Sequence, residues 1–273
     1  MRLVIRHTTC YRYADPARRV VQALRLWPAP ADPQKVGRWQ VRAGGKWLRP
    51  SCTDGFGNPV AVIGLDGPVG EIAIEVSAEV ETADRHGIVT GTLERLPPVY
   101  FLVESPLTLR GDGVRSLVAT LPDRRGVEEA HTLMDKVRER IAFQPEETHP
   151  ETTAEEALAL GRGVCQDHAH AMIACARSWG VPARYVSGYL WVEGEPVSPA
   201  SHAWCELYLE GLGWVGFDPA NGVCPTEAYV RVAAGRDARD AAPVRGMRQG
   251  GAEEALGVSV QVIARAPQAG MEQ

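Results

Sequence analysis

Apolar and polar positions change their period about a third of the way along the chain. Ile72, Ile74, Val76, Ala78 and Val80 alternate with other residues in strict period two, the mark of a strand with one apolar face. Residues 3–13 alternate in part, and shorter apolar runs follow at 23–27, 39–41 and 60–65. Turn-forming stretches separate them: Ala43-Gly-Gly45, Asp54-Gly-Phe-Gly-Asn-Pro59 and Asp66-Gly-Pro68. Short strands with frequent turns predict a sandwich-like β domain over residues 1–100.

Beyond Pro97-Pro98 the period lengthens. Val127, Ala130, Met134, Val137 and Ile141 fall three or four apart, with Glu128, Glu129, Lys136, Arg138 and Glu139 off the stripe, so a helix is expected. Thr153 and Glu156 have capping-box spacing and open a short helix ending near Leu160. Gly161-Arg-Gly163 breaks it. Ala169, Met172, Ile173 and Ala176 mark a further stripe, closed by Gly180 and Pro182, which places Cys165 in the first turn of that helix. Strands are expected at 184–192, 202–210 and 214–217, with a loop at 193–201. Gly211-Leu-Gly213 turns the last two strands into antiparallel neighbours. The chain from Ala234 is rich in Gly, Ala and Arg, and reads as irregular until a closing strand at 258–263. The resulting division is a β domain at 1–100, an α+β core at 101–233 and a tail at 234–273.

Composition narrows the function. Of 273 residues, 45% are hydrophobic and 23% charged, as in ordinary globular proteins, and the length accommodates two domains. The net charge of -5 and scattered Lys and Arg argue against a nucleic-acid partner, which calls for a basic stripe. Charges interrupt the first residues, so no signal peptide is read there, and no apolar run approaches the ~18 residues of a membrane span. A cytoplasmic location without membrane association is the resulting expectation. The six cysteines include no C-x-x-C pair and are expected to be reduced thiols.

Thiol catalysis needs a thiolate near neutral pH, which a helix N-terminus and a cationic histidine favour. Cys165 has the helix start, and its free amides would stabilise an oxyanion. His202 begins a strand and can serve as base. Asp218 ends the neighbouring antiparallel strand and so comes beside His202, where an acid would orient the imidazole. Asp167 is the alternative acid, although a carboxylate in a first helical turn is already favoured by the helix dipole. His168 and His170 invite a metal reading, but only His168 shares a helical face with Cys165, and a surface or supporting role is preferred. Cys10, Cys52, Cys175, Cys205 and Cys224 lack a helix start and base, and read as structural. Trp204 and Trp214 read as core rather than as cleft walls. Gly211-Leu-Gly-Trp-Val-Gly216 has the form of a dinucleotide fingerprint, but a strand and then Asp-Pro follow it instead of a helix. No cofactor, calcium loop or metal site is expected.

Four motifs stand in one order: Gly163-Val-Cys-Gln-Asp167, Val181-Pro-Ala-Arg-Tyr-Val-Ser-Gly188, Ala200-Ser-His-Ala-Trp204 and Gly213-Trp-Val-Gly-Phe-Asp-Pro219. They closely resemble the bacterial transglutaminase-like family. Tyr11-Arg-Tyr13, Leu24-Arg-Leu26 and Asp54-Gly-Phe-Gly-Asn58 resemble its N-terminal region, and Gly235-Arg-Asp237 with Pro243-Val-Arg-Gly246 resembles its tail. Ala220 and Ala238 stand where the family usually carries threonine and tyrosine. The resemblance implies a papain-like α+β core, its Cys-bearing helix packed on an antiparallel sheet, and the triad Cys165, His202 and Asp218. It implies acyl transfer or hydrolysis at peptide, isopeptide or glutamine amide bonds through a thioester, on a peptide or protein substrate. Hydrolysis is preferred. A protein-glutamine transglutaminase with an amine acceptor is the alternative, followed by a non-catalytic peptide-binding module and then a metal-binding protein.

Overall fold

The computed structural model describes residues 1–195, 197–198 and 201–265. Pro196, Pro199 and Ala200 of the expected loop and residues 266–273 of the expected tail lie outside the described residues. The chain runs through β1 (Arg2–Leu24), β2 (Gln34–Ala43), β3 (Lys46–Leu48), β4 (Cys52–Thr53), β5 (Pro59–Thr82) and β6 (Ile88–Val89). After a 3₁₀ turn at Pro98–Leu102 come α1 (Asp112–Val118), α2 (Val127–Arg140), β7 (Ala142–Phe143), α3 (Ala154–Leu160), β8 (Arg162–Gly163) and α4 (Cys165–Ser178). The remainder is β9 (Ala183–Leu190), β10 (Val197–Ser198), β11 (His202–Leu209), β12 (Gly213–Phe217), β13 (Tyr229–Gly235), β14 (Val244–Gly250) and β15 (Glu254–Arg265).

The fold is α+β. Among the described residues one antiparallel sheet has the order β10-β15-β1-β5-β2-β3, with β14 also on β1 and β4 on β5; a second has the order β13-β9-β11-β12-β6. In the first sheet the expected alternation becomes burial: Leu3, Ile5, Ile72, Ile74, Val76, Ala78 and Val80 share one core. The apolar run 3–13 and the start of the run 23–27, expected to be separate strands, belong to a β1 that continues through residue 24, as 60–65 and 72–80 do to a continuous β5. The β1–β5 register shifts between Arg12 and Ala17 and again by Arg19. Bulges thus absorb Pro16, which has no N–H to give the ladder. Gly67 sits opposite, where a Cβ would lie 2.2 Å from the Ala17 carbonyl oxygen.

The tail departs most from expectation. β13 ends only at Gly235, β14 pairs with β1 from Ala17 to Leu24, and β15 pairs with β1 from Arg2 to Tyr13. Gly and Arg obscured these strands because β14 buries no side chain fully, so its pattern carries no apolar face. α1 escaped notice for a similar reason: at seven residues it has little periodicity to show.

α4 is the centre of the second half. From Asp167 to Arg177 every residue is buried. Its alanines let Leu133, Met134 and Val137 of α2, Leu158 of α3, and Ala203, Cys205 and Leu207 of β11 converge on it.

The two sheets meet along the outer edge of β13. The Gln34 side chain acts there like a strand residue, donating to the Arg231 carbonyl (2.8 Å) and accepting from its N–H (2.9 Å). Asn58 does the same at Ala234, at 2.7 and 2.8 Å. Asp54 shapes the loop that presents Asn58, accepting from the Phe56 and Asn58 amides, the Asn58 side chain and Arg25. Asn58→Ala should therefore lower unfolding free energy by about 2–4 kcal/mol, since two buried backbone groups lose partners. Urea denaturation measures this, and a loss under about 0.5 kcal/mol would mean that β13 does not rely on this contact.

Candidate active site

Cys165 is the first residue of α4, after an extended Val164. The Asp167 carboxylate folds back over this helix start, accepting from the Val164 N–H (2.8 Å) and the Thr148 hydroxyl (2.6 Å). Gly163 makes room, since a Cβ there would lie 2.6 Å from an Asp167 carboxylate oxygen. Asp167 therefore holds the helix start. The Asp167 and His168 amides both bond the Val164 carbonyl. The amides of Cys165 and Gln166 have no acceptor among the described residues, as expected for the orphan donors of a helix N-terminus.

His202 opens β11, which pairs antiparallel with β12 through Cys205–Leu209 and Gly213–Phe217. That register sets the end of β12 beside the start of β11, and His202 Nε2 bonds Asp218 Oδ2 at 2.6 Å. The Cys165 thiol lines the same cleft as the imidazole, near enough for its charge to favour the protonated ring. With Nε2 engaged, Nδ1 is the ring nitrogen left for sulfur. The three residues expected to form the site thus converge, with His202 between the other two.

Asp218 is fully buried. Its Oδ2 also accepts from the Asn221 side chain (2.7 Å) and the Tyr229 hydroxyl (2.8 Å). Its Oδ1 accepts from the amides of Ala220 (3.1 Å) and Asn221 (3.3 Å). At position 220 only the backbone N–H is used, so alanine serves there. Burial pushes the Asp218 carboxyl up, but the bonds from His202, Asn221 and Tyr229 and the His202 charge outweigh it and hold it below the usual value. Burial likewise opposes charge on His202; the bond to Asp218, the neighbouring Cys165 thiol and the charges of both prevail and raise it to about 10. The imidazole stacks against Trp204 and meets Tyr229 edge-on, with ring centroids 6.2 and 5.8 Å apart. Gly188, paired with His202, leaves space for that indole: a Cβ would fall 2.7 Å from it and 2.1 Å from the Val230 carbonyl oxygen.

Asn221 and Tyr229 were not anticipated. Asn221 follows Asp218 closely enough for an Asx-type contact to be foreseen. Tyr229 lies on a strand that the pattern did not reveal. His168 and His170 are buried rather than at the surface. His168 bonds the carbonyls of Val164 and Ile141, and His170 accepts the Ala238 amide. Trp204 and Trp214 are core residues, 2% and 4% exposed.

Cys165 and His202 open into a cleft of about 530 Å³, walled by Pro150, Glu151, Gln166, Tyr185, Ser187, Ala238, Arg239 and the segment Ala241–Arg245. No tryptophan lines it among the described residues.

The profile described as "Transglutaminase-like superfamily" matches residues 114–219, and that of "Bacterial transglutaminase-like N-terminal region" matches residues 3–81. An uncharacterized protein of Mycobacterium leprae is 30% identical over 277 residues, covering 96% of this chain and 98% of that protein. A protein-glutamine gamma-glutamyltransferase of Pseudomonas aeruginosa is 36% identical over 73 residues, 23% of this chain and 10% of that protein. The crystal structure of a candidate cysteine protease from Cytophaga hutchinsonii shares the fold, with TM-score 0.77 and 20% identity over 96% of this chain and 90% of that one.

The raised pKa of His202 makes a signed prediction. A group protonated more tightly when folded adds stability that is complete below its unfolded value, near 6.5, and lost as pH rises toward about 10. The stability difference between the wild-type protein and His202→Gln should therefore shrink steadily over that interval. Chemical denaturation at a series of pH values measures it, and a difference constant across the interval would contradict the charged pair.

Proposed function

The chain belongs to the transglutaminase-like superfamily, and on that footing we propose that it is a thiol enzyme cleaving peptide, isopeptide or glutamine amide bonds through a thioester on Cys165. The observation that carries this reading is the position of His202, sharing a cleft with the Cys165 thiol on one side and bonded to a buried carboxylate on the other. The Cys165 sulfur attacks the amide carbonyl, and the helix-start amides receive the developing oxyanion. His202 gives its proton to the departing amine. Water then attacks the thioester, and His202 takes that water's proton. Asp218 holds the imidazole in orientation and balances its charge. We read the setting as cytoplasmic, where thiols stay reduced, and the partner as a peptide or protein substrate.

Water is the preferred acceptor because the cleft has no tryptophan wall to exclude it among the described residues. The likeness to the Pseudomonas protein-glutamine gamma-glutamyltransferase favours the second reading, transfer to a primary amine. On a peptide library with a labelled primary amine, hydrolysis should exceed amine incorporation; predominant incorporation would establish the second reading.

The thiols should separate in iodoacetamide labelling at neutral pH. Burial pushes Cys175 up to about 12 and Cys224 up to about 11, and Cys205 is inaccessible. Cys52 is more exposed than Cys165 but has no histidine partner. Cys165 should label faster than Cys52, and the reverse order would remove the activated thiol. In turnover, Cys165→Ala should abolish activity and His202→Ala nearly so. Asp218→Asn should cost tens- to thousands-fold and shift the pH profile. Wild-type kinetics in Asp218→Asn would show that another group orients the base.

A further inference from the structure

The helix-start amides supply one side of an oxyanion site, and the cleft holds a further donor that nothing above uses. Tyr185 lies on β9, opposite Cys205 of β11 and on the sheet face that packs against α4. Its side chain lines the same cleft as Cys165 and is 4% exposed. The ring is fixed against His170, with centroids 5.1 Å apart. The hydroxyl has no hydrogen-bond partner among the described residues. Several other polar groups in the wall are committed: the Ser187 hydroxyl donates to the Ala241 carbonyl, the Gln166 side-chain amide donates to the Pro150 carbonyl, and Glu151 pairs with Arg239. The phenol is not sealed off with its proton unmet, so the cleft is where water, or a substrate oxygen in its place, would accept it.

Resting on the thioester reading above, we propose that the Tyr185 hydroxyl donates a hydrogen bond to the substrate carbonyl oxygen as Cys165 attacks. The sulfur lone pair forms the C–S bond and the C=O π pair moves to oxygen. That oxygen is then held between the helix-start amides and the phenol. When the pair returns, the C–N or C–O bond to the leaving group breaks, and a leaving amine takes the His202 proton. Tyr185 keeps its own proton throughout, as a donor must. Burial, followed by the nearby Cys165, Asp167 and Asp237 charges, holds its ionisation well above the ordinary range. Donation from a fixed dipole is most useful where charge appears only in the transition state.

Tyr185→Phe removes one oxygen and keeps the ring that packs on His170. Two reactions of Cys165 then separate the roles. Acylation by p-nitrophenyl acetate, followed as nitrophenolate release under single-turnover conditions, builds an oxyanion. Alkylation by iodoacetamide displaces iodide at a saturated carbon and builds none. The variant should acylate roughly 100-fold more slowly, the usual loss for one oxyanion donor, while Cys165 alkylates within about twofold of the wild-type rate. Unchanged acylation would overturn the assignment. Equal slowing of both reactions would also overturn it, because Tyr185 would then act on the thiol or the packing. A wild-type protein that alkylates at Cys165 but is never acylated would overturn the thioester reading itself, and this inference with it.

Discussion

The structure around the site depends on keeping the Asp218 carboxylate charged and out of water. Removing an ion from solvent costs several kcal/mol even after relaxation, and only well-placed donors offset that. Here the imidazole of His202, the side chain of Asn221, the hydroxyl of Tyr229 and the amides of Ala220 and Asn221 all point at one side chain. These donors come from the start of β11, the turn after β12 and the start of β13. An element that shifts leaves the carboxylate with an unmet bond, so the fold and the orientation of His202 are stabilised by the same contacts.

This dependence extends into the first sheet. Tyr229 sits on β13, whose outer edge is completed by the amide side chains of Gln34 and Asn58. On β11, His202, Trp204 and Glu206 share a face. Glu206 is held between Arg184 (2.6 Å) and Arg231 (2.7 Å), and Arg184 lies 3.9 Å from the Trp214 ring centroid. Burial pushes the Glu206 carboxyl up, yet the two arginines outweigh it and bring it to about 2. The cluster ties β9, β11 and β13 together just beyond the imidazole. Ahead of His202, β10 pairs with β15, the closing strand of the first sheet. The strand carrying His202 is therefore braced from both ends by residues distant in sequence.

The residues converging at Cys165 were legible because their signals are local. A helix start is written in Gly161-Arg-Gly163 and the stripe after it, and the Gly211-Leu-Gly213 turn brings Asp218 to His202. Tyr229, Gln34 and Asn58 act through long-range pairings, which leave no periodic mark. Within Asp54-Gly-Phe-Gly-Asn58 the glycines announced a turn, but the purpose of Asn58 is visible only against β13. β14 was illegible because an exposed strand carries no apolar face, and the long β1 and β5 were divided because Pro16 and Gly67-Pro68 look like breaks when they occupy bulges. Asp167, a credible acid by proximity to Cys165, turns one oxygen to Val164 and Thr148, a local role of the kind its place in a first turn foretold.

The central claim is that Cys165, His202 and Asp218 act as one unit that carries an acyl group on sulfur. Intact-mass analysis of the acid-quenched protein after exposure to an activated acyl ester, followed by peptide mapping and hydroxylamine treatment, tests it most directly. One acyl adduct is expected, on the peptide containing Cys165, released by hydroxylamine as a thioester is and much reduced in His202→Ala. An adduct on another cysteine, an adduct that hydroxylamine leaves intact, or equal acylation without His202 would contradict it.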